Sequence, residues 1–326
     1  MKSKILRLLK DSDGYVSGEE ISKILGVSRT AIWKVITHLK EEGYIIESVT
    51  KKGYLLRGTP DLLTEDEVRY QLKTKWLGQK IHHYHQIDST NKEAKKLAAN
   101  GEREGTVVIA EEQLAGRGRL GRTWVSPPQT GIWMSVILRP PISPADASKI
   151  TLIAGLAVCE GIKAVTGLPA QIKWPNDIVL HNKKICGILT EMSAELEKVN
   201  YIILGIGINV NMSSFPEDIK NMATSLKIEG GKDYDRKEIV KAILTNLEKY
   251  YEAYLNKQDL ENLIEKYKSY CLTLGKEVKI IHRNEEFIGK AIDLTEEGEL
   301  MVEKHDGQVI TVFFGEVSVR GLYGYI

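Results

Sequence analysis

The sequence predicts an α+β protein built from three parts: an N-terminal winged helix-turn-helix, a central mixed α/β domain and a small C-terminal β-barrel. Three observations support this class. Two well-capped amphipathic helices occupy the first 60 residues, apolar strands alternate with long helical segments in the middle, and short strand-like runs separated by glycines fill the end. With 326 residues, the chain is also too long for one compact core.

The first predicted domain covers residues 1–60, with the helix-turn-helix at about 18–37. Ser17 and Ser28 are each placed to cap a helix, and the apolar residues after Ser28 recur at helical spacing. A glycine-bearing turn between two such helices is typical of a helix-turn-helix. Beyond them, Lys51-Lys52 lies at the tip of a predicted two-stranded wing.

The polar face of the second capped helix is a candidate DNA-binding surface. Residues 1–60 hold eleven Lys/Arg and seven Asp/Glu, a net charge of +4 that leaves −3 for the rest of the chain. A locally basic module on a nearly neutral chain suggests that this module alone contacts phosphate. For Trp33 a packing role is equally compatible with the sequence. The candidate DNA contacts are Ser28, Arg29, Thr30, Trp33, Lys34, Thr37 and His38.

The central domain is predicted over 65–272 and the C-terminal domain over 275–326, after a linker near Gly58-Thr59-Pro60-Asp61. Apolar strands are predicted in the central domain at 106–110, 132–138, 172–174, 185–190 and 201–208, and helical segments at 147–166 and 236–270. The strand-like runs of the C-terminal domain are at 277–281, 287–292, 299–303 and 309–314.

Gly116-Arg117-Gly118-Arg119-Leu120-Gly121-Arg122 is the most informative segment. Its glycines match the spacing of the dinucleotide-binding fingerprint, but that fingerprint lies directly between a strand and a helix. Here about five residues separate the loop from the strand end, and the prolines at 127 and 128 prevent a helix start. The segment is instead predicted to be a mobile loop whose guanidinium groups bind carboxylate or phosphate. The alternative is a solvated basic loop.

A second segment, Lys173-Trp174-Pro175-Asn176-Asp177, sets polar side chains beside a tryptophan and a proline, which suggests a shaped site. Downstream, Lys183-Lys184 precedes an apolar run at 185–189. Because Lys184 stands immediately before that run, we predict that its ammonium group points into a cleft as a fixed positive charge. The alternative is an ordinary surface patch of lysines.

Two further segments identify no function by themselves. Asp88-Ser89-Thr90-Asn91 gathers small hydrogen-bond donors and acceptors just before a helix predicted at 92–99, and alone it reads as a helix N-cap. Gly205-Ile206-Gly207-Ile208-Asn209-Val210-Asn211 alone reads as a strand with close backbone approach.

In their order and combination, these segments resemble the bifunctional biotin–protein ligase and biotin operon repressor family over essentially the whole chain. The resemblance implies a central catalytic domain of the biotin/lipoate ligase type and an SH3-like C-terminal barrel. Each motif alone is weak or moderate in specificity, whereas their order is very specific. The segments that carry the resemblance are the winged helix, 88–91, 116–122, 173–177, 183–189, 205–209 and the final β domain.

The resemblance also assigns roles to residues of this chain. Those that it implies for biotin are Ser89, Thr90, Asn91, Gln113, Arg117, Gly118, Arg119 and Lys184. Those that it implies for ATP and the adenylate are Arg119, Arg122, Trp124, Asn176, Asp177 and Asn209. The implied catalytic residues are Lys184, Arg117 and Arg119. Leu120 receives no role, because some members of the family have arginine there.

The implied reaction joins biotin to a lysine of a biotin carboxyl carrier protein, with ATP and Mg²⁺, through biotinyl-adenylate. Positively charged side chains would bring two mutually repelling anions together, and loop closure would keep water from the mixed anhydride. The same adenylate would favour a homodimer whose two winged helices bind operator DNA of biotin genes.

Other protein classes are disfavoured. Cys159, Cys186 and Cys271 have the spacing of neither a disulfide framework nor a metal site, and no signal peptide or membrane span is predicted, so we expect a cytoplasmic protein without membrane contact. His82 and His83 would lie on opposite sides of a strand, so no protein metal site is expected.

Three alternatives remain open. The first is a transcription regulator with an inactive ligand-sensing body, which the intact Arg117, Arg119 and Lys184 disfavour. The second is a ligase for lipoate or another acyl group, which shares the catalytic architecture; the winged helix and the arginine loop favour biotin over it. The third is a winged helix that no longer reads DNA.

Overall fold

A computed structural model describes residues 1–257, 260–282, 285–314 and 317–321. The chain divides into two compact units, Met1–Leu62 and Leu63–Ile326. In the described ranges, no helix is both long enough and apolar enough to cross a bilayer. The last five residues of the predicted C-terminal domain, 322–326, lie outside the described residues.

The first unit is a winged helix-turn-helix, as predicted. Ser17 accepts a hydrogen bond from the backbone N–H of Glu20 at the start of α2, and Ser28 accepts one from Ala31 at the start of α3. Gly26 ends α2 in the left-handed conformation. Its elements are α1 (Lys2–Lys10), α2 (Gly18–Leu25), α3 (Arg29–Glu41) and an antiparallel hairpin of β1 (Ile45–Val49) and β2 (Gly53–Gly58).

The second unit is built on a seven-stranded sheet with the strand order β3-β4-β5-β9-β8-β7-β6. The pairing of β3 with β4 is parallel, and the other pairings are antiparallel. The strands are β3 (Ile81–Ile87), β4 (Val107–Gln113), β5 (Gly131–Leu138), β6 (Gln171–Lys173), β7 (Asp177–Leu180), β8 (Lys183–Ala194) and β9 (Val199–Asn209).

Helices cover both faces of this sheet. On one face α5 packs on Val108, Ile137 and Ile203, and on the other α6 and α8 form the main core. All eight residues of β5 are buried because the strand lies between these two layers. The helical segment predicted at 236–270 is divided into two helices. The helices of the unit are α4 (Glu65–Arg69), α5 (Thr90–Ala99), α6 (Ala147–Thr166), α7 (Leu226–Gly230), α8 (Arg236–Lys257) and α9 (Glu261–Tyr270).

A five-stranded antiparallel sheet with the order β13-β12-β11-β10-β14 ends the chain. Its buried residues Val278, Ala291 and Leu300 belong to the same hydrophobic core as the central sheet. Trp174 joins the two sheets, since its backbone N–H donates to Thr273 Oγ1 at 2.9 Å and its indole Nε1 to the carbonyl of Gly298 at 3.0 Å. The strands are β10 (Glu277–His282), β11 (Glu285–Leu294), β12 (Leu300–Lys304), β13 (Val309–Val312) and β14 (Val317–Gly321).

The predicted third domain therefore has its own sheet but shares its core with the central domain. The division of the chain at 60–65 and at 272–275 stays a prediction. The shared core holds the 173–177 segment between the two sheets.

Candidate functional site

A cavity of about 670 Å³ opens on the face of the central sheet that carries the start of α5. This volume is within the range of small-molecule sites. Every residue that the sequence assigns to biotin or to the adenylate lines it. These are Ser89, Thr90, Asn91, Gln113, Arg117, Gly118, Arg119, Arg122, Trp124, Asn176, Asp177, Lys184 and Asn209.

One end of the cavity is formed by the first residues of α5. Ser89 occupies the N-cap position, but its side chain makes no capping hydrogen bond. The backbone N–H of Thr90 donates to Gln113 Oε1 at 2.9 Å, and Gln113 Nε2 donates to Ser126 Oγ at 2.9 Å. The segment at 88–91 is thus more than a helix cap, because its buried polar groups turn toward the cavity.

The 116–122 segment is a loop closed at its base and turned at its tip. The backbone N–H of Gly118 donates to the carbonyl of Arg122 at 2.7 Å, and Leu120 and Gly121 at the tip have φ of 56° and 72°. No helix follows the loop before β5 begins at Gly131. This agrees with rejecting the dinucleotide fingerprint.

The three arginines of this loop differ in exposure. Arg117 and Arg122 are exposed, whereas Arg119 is half-buried and donates from Nη1 to Asn176 Oδ1 at 2.6 Å. Burial lowers the pKa of the Arg119 guanidinium, which the charge of Asp177 partly opposes. The Arg119–Asn176 hydrogen bond therefore joins the loop to the 173–177 segment.

Lys184 supplies a further cationic group to the cavity lining. Its Nζ lies 2.5 Å from Asp177 Oδ1 and 5.3 Å from the centre of the Trp124 ring. Lys183 is exposed, so of the two adjacent lysines only Lys184 lines the cavity. One detail of the prediction is wrong: Lys184 is the second residue of β8 and does not precede the strand, because its backbone already pairs with Val179 of β7.

Glycines on β9 give the cavity its depth. A Cβ at Gly205 would lie 2.1 Å from Asn91 Oδ1, and one at Gly207 would lie 2.6 Å from Trp124 Nε1. Both positions therefore require glycine for the neighbouring side chain to lie flat on the strand. At the end of β9, Asn209 is buried and donates from Nδ2 to the carbonyl of Thr224 at 3.1 Å.

Sequence reasoning missed polar residues that support the end of the cavity formed by the start of α5. Ser135 Oγ lies 2.8 Å from Thr90 Oγ1 and 2.6 Å from Asn91 Oδ1, and Asn91 Nδ2 donates to Glu191 Oε2 at 2.8 Å. The available signal was a serine inside the otherwise apolar 131–138 strand. The cavity is also lined by Phe215, Asp218 and Met222, for which we find no sequence signal.

The predicted strand does separate the two histidines. His82 Nε2 lies 3.1 Å from Glu102, while His83 Nε2 lies 2.9 Å from Glu111. Burial raises the pKa of the Glu111 carboxyl, but the hydrogen bond from His83 and the charge of Arg236 outweigh it and hold that pKa below its usual value. Among the residues that the structure describes, no group of three His, Cys, Asp or Glu could hold a metal ion.

The three cysteines are free and buried. Burial raises the pKa of each thiol, that of Cys271 to about 11, which leaves them poor nucleophiles.

The first unit presents the predicted DNA-binding face on α3 and its cap. Ser28, Arg29, Thr30, Lys34 and His38 are exposed, and Thr37 is half-buried. Trp33 is 58% exposed, which argues against a packing role for this side chain within the unit. A cationic face with an exposed aromatic ring is suited to nucleic acid.

Comparison with known proteins identifies the family. The bifunctional ligase/repressor BirA of Bacillus spizizenii is 44% identical over 295 residues, which cover 90% of each chain. The chain belongs to the bifunctional ligase/repressor family. The bifunctional ligase/repressor BirA of Escherichia coli is 30% identical to this chain over 318 residues, which cover 97% of this chain and 96% of that one.

Family models match three successive parts of this ligase/repressor. They describe an HTH domain over 2–55, the biotin/lipoate A/B protein ligase family over 84–209 and the biotin protein ligase C-terminal domain over 273–320. The solved structure of biotin protein ligase from Aquifex aeolicus in complex with biotin and ATP matches with a TM-score of 0.66 at 33% identity. It covers 74% of this chain and 99% of that chain.

These matches confirm the predicted family, fold class, ligase activity and repressor function. They disfavour a regulator with an inactive body, because the similar proteins combine both functions in one chain.

Proposed function

We propose that this ligase/repressor activates biotin with ATP to biotinyl-adenylate, transfers the biotinyl group to a lysine of a biotin carboxyl carrier protein, and represses biotin genes while the adenylate stays bound. One observation carries the proposal. The residues assigned to biotin and to the nucleotide line one cavity, and the cationic groups of Arg119 and Lys184 lie inside it.

The neutral end of the cavity is suited to the ureido ring of biotin. Ser89, Thr90 and Asn91 are buried, and with Gln113 they offer hydrogen-bonding groups without net charge. A ureido carbonyl and its two N–H groups match such a set. The apolar chain of biotin would then run along the glycines of β9 toward Lys184.

At the other end, charge neutralisation permits the first reaction. The biotin carboxylate attacks the α-phosphorus of ATP, the bond to the bridging oxygen breaks, and pyrophosphate leaves. Lys184 would exchange its partner Asp177 for the carboxylate and the α-phosphate, whose mutual repulsion it reduces. In the second step the amine of the carrier lysine attacks the acyl carbon, and AMP leaves.

The loop at 116–122 would protect the adenylate. The Arg119–Asn176 hydrogen bond holds this loop against the 173–177 segment, and Arg117 and Arg122 on the same loop can approach phosphate. A closed loop keeps water from the mixed anhydride, which would otherwise hydrolyse before the carrier arrives.

Magnesium would enter the site with ATP. Hard oxygen ligands suit this ion, and Asp177 and Asp218 line the cavity with carboxylates while phosphate oxygens would supply most other ligands. When bound, the ion supplies further neutralisation of phosphate charge.

Repression would use the same adenylate. In this proposal the adenylate-bound chain forms a homodimer, and two α3 helices contact the halves of an operator through Arg29, Lys34 and neighbouring residues. Three free thiols are compatible with action in the cytoplasm. Operator binding with and without biotin and ATP tests this part: both ligands together should tighten it.

Pyrophosphate release tests the ligase part. Purified protein with ATP should release pyrophosphate with biotin and only weakly with lipoate or octanoate, and a carrier domain should then become biotinylated. Equal release with lipoate would contradict the assignment of biotin.

A further inference from the structure

Gln113 and the 116–122 loop share one base. Residues 113–126 fold back on themselves as an irregular hairpin, in which the backbone of Gln113 pairs with that of Ser126. The backbone N–H of Gln113 donates to the carbonyl of Ser126 at 3.2 Å. Ser126 is only 4% exposed and is not among the residues that line the cavity. Its side chain nevertheless contacts that of Gln113, a residue assigned to biotin.

The hydroxyl of Ser126 takes part in two hydrogen bonds. It donates its proton to the carbonyl oxygen of Trp124 at 3.1 Å, and its oxygen accepts from Gln113 Nε2 at 2.9 Å. Trp124 is itself held at the base of the loop, since its backbone N–H donates to the carbonyl of Gly116 at 2.9 Å. A Cβ at Gly116 would lie 2.8 Å from the Ser126 oxygen, so glycine leaves room for the hydroxyl. Ser126 therefore joins the Gln113 amide to the backbone of the loop base.

The hydrogen bonds of the Gln113 amide leave one group for a ligand. Its Oε1 accepts from the backbone N–H of Thr90 at 2.9 Å and from Thr90 Oγ1 at 3.1 Å, which uses both lone pairs of this oxygen. One proton of Nε2 goes to Ser126. The other Nε2 proton can be donated to a ligand, and the carbonyl oxygen of a ureido ring is an acceptor of the kind that it requires.

Thr90 and Ser126 constrain this amide in different ways. Thr90 determines which end of the amide faces α5, but it contacts only the oxygen. An amide held at its oxygen alone can pivot about that atom, so the direction of its Nε2 protons would vary. The contact of Nε2 with Ser126 removes this freedom before a ligand arrives, which lowers the entropic cost of binding.

We infer that Ser126 is a positioning residue for biotin, which holds the Gln113 amide so that its remaining proton meets the ureido carbonyl. This rests on the proposed function, in which Gln113 binds the ureido end of biotin. Because the Ser126 hydroxyl is itself bonded to Trp124, the amide is held by the base of the loop, which backbone hydrogen bonds close, and not by its exposed tip.

Calorimetric titration of the full chain with biotin and with ATP tests the inference. Ser126→Ala removes the hydroxyl and keeps the backbone groups that close the loop base. Biotin should then bind about tenfold more weakly, the size expected for one buried hydrogen bond, while ATP affinity should change by less than about twofold. Adding Ser126→Ala to Gln113→Ala should weaken biotin binding by less than about twofold further, because the amide that Ser126 holds is already absent.

Thr74 provides a matched control. Its buried Oγ1 donates to the carbonyl of Leu77 at 2.5 Å and accepts from Gln79 Nε2 at 3.2 Å. This is the same arrangement of hydroxyl, carbonyl and glutamine amide, outside the cavity lining. Thr74→Val removes the hydroxyl with little change of shape, so it should lower the melting temperature and leave biotin affinity unchanged.

A second variant keeps the test decisive if Ser126→Ala melts far below the wild type. Ser126→Cys puts a thiol of similar size at this position, and sulfur is a weak acceptor. It should weaken biotin binding about threefold, and that loss should vanish in the Gln113→Ala background.

Unchanged biotin affinity in folded Ser126→Ala, or in Ser126→Cys if that variant must decide, overturns the inference. The full loss persisting in the Gln113→Ala background also overturns it, because Ser126 would then act without Gln113. So does an equal loss in Thr74→Val. In each of these cases the wild type still binds biotin, and the proposed function stands. If the wild type binds no biotin, the proposed function fails and the inference fails with it.

Discussion

The two ends of the cleft are built from different groups on different elements. At the end proposed to bind biotin, neutral side chains such as Thr90, Asn91 and Ser135 are buried on a helix and a strand and joined by hydrogen bonds. At the end proposed to bind the nucleotide, charged side chains lie on the 116–122 loop and on the 173–177 segment, and most are exposed or half-buried. In the proposed function, the neutral end would bind the vitamin through hydrogen bonds, while the charged loop would bind phosphate.

The cost of removing polar groups from water explains why the two ends contain different side chains. Neutral groups can be buried if all of them are hydrogen-bonded, and a buried network of this kind is rigid. Charged groups are costly to bury without partners, so they lie where water or a counter-charge reaches them. Lys184 stands where the two ends meet, and in the structure it is paired with Asp177.

The largest effect is expected at that junction. Lys184→Ala should lower the rate of adenylate formation about 10³-fold, because one preorganised positive charge at the reacting groups is lost. Pyrophosphate release measures the rate, and thermal melting should report an intact fold. Lys183→Ala is the matched control: this lysine is adjacent but exposed, and its removal should leave the rate unchanged. Normal turnover by Lys184→Ala would refute the assignment.

A smaller and more selective effect is expected at the biotin end. Gly205→Ala places a Cβ 2.1 Å from Asn91 Oδ1, and that flexible side chain must move away. Biotin affinity should fall about 100-fold, the size expected when a buried hydrogen-bond network is broken, while ATP affinity should change little. Calorimetry measures both constants. Gly14→Ala, where a Cβ meets nothing within 4 Å, is the control. An equal loss of ATP affinity would contradict the proposal that the two ends bind their ligands independently.

The smallest effect is expected from the loop. Arg119→Ala removes the hydrogen bond to Asn176, and the bound adenylate should dissociate about tenfold faster, because one charge-assisted contact holds the loop closed. Stopped-flow displacement measures the dissociation rate. Arg103→Ala, at an exposed position outside the cavity lining, should leave that rate unchanged. A slower rate in Arg119→Ala would contradict the role of this contact.

Sequence analysis predicted the parts of the cleft whose residue types are unfavourable at positions that bind no ligand. Arginines between glycines, as at 116–122, indicate a ligand from sequence alone, whereas the polar groups at 88–91 alone indicate only a helix N-cap. That Ser135 and Glu191 both contact Asn91 could not be predicted. They belong to strands separated by more than 50 positions, which only the pairing of β5 with β9 and of β9 with β8 brings together.

The fold was predictable to a similar degree and for similar reasons. Ser17 and Ser28 define their helices locally, so both helix starts were found. The shared core of the two sheets depends on Trp174 reaching Thr273 and Gly298, contacts across about 100 residues that no local pattern encodes. Arg236 and Glu111 form a buried ion pair, although arginine and glutamate usually lie at the surface. This burial also depends on contacts between distant parts of the chain, which no local pattern encodes.

Salt dependence tests the contrast between the two ends most directly. The uncharged alcohol biotinol reports the biotin end alone, and ATP reports the nucleotide end. Between 50 and 500 mM salt, screening should weaken ATP binding about tenfold or more, while the affinity for biotinol should change by less than about twofold. Parallel changes in the two affinities would contradict the division of the cleft into a neutral selecting end and a charged reacting end.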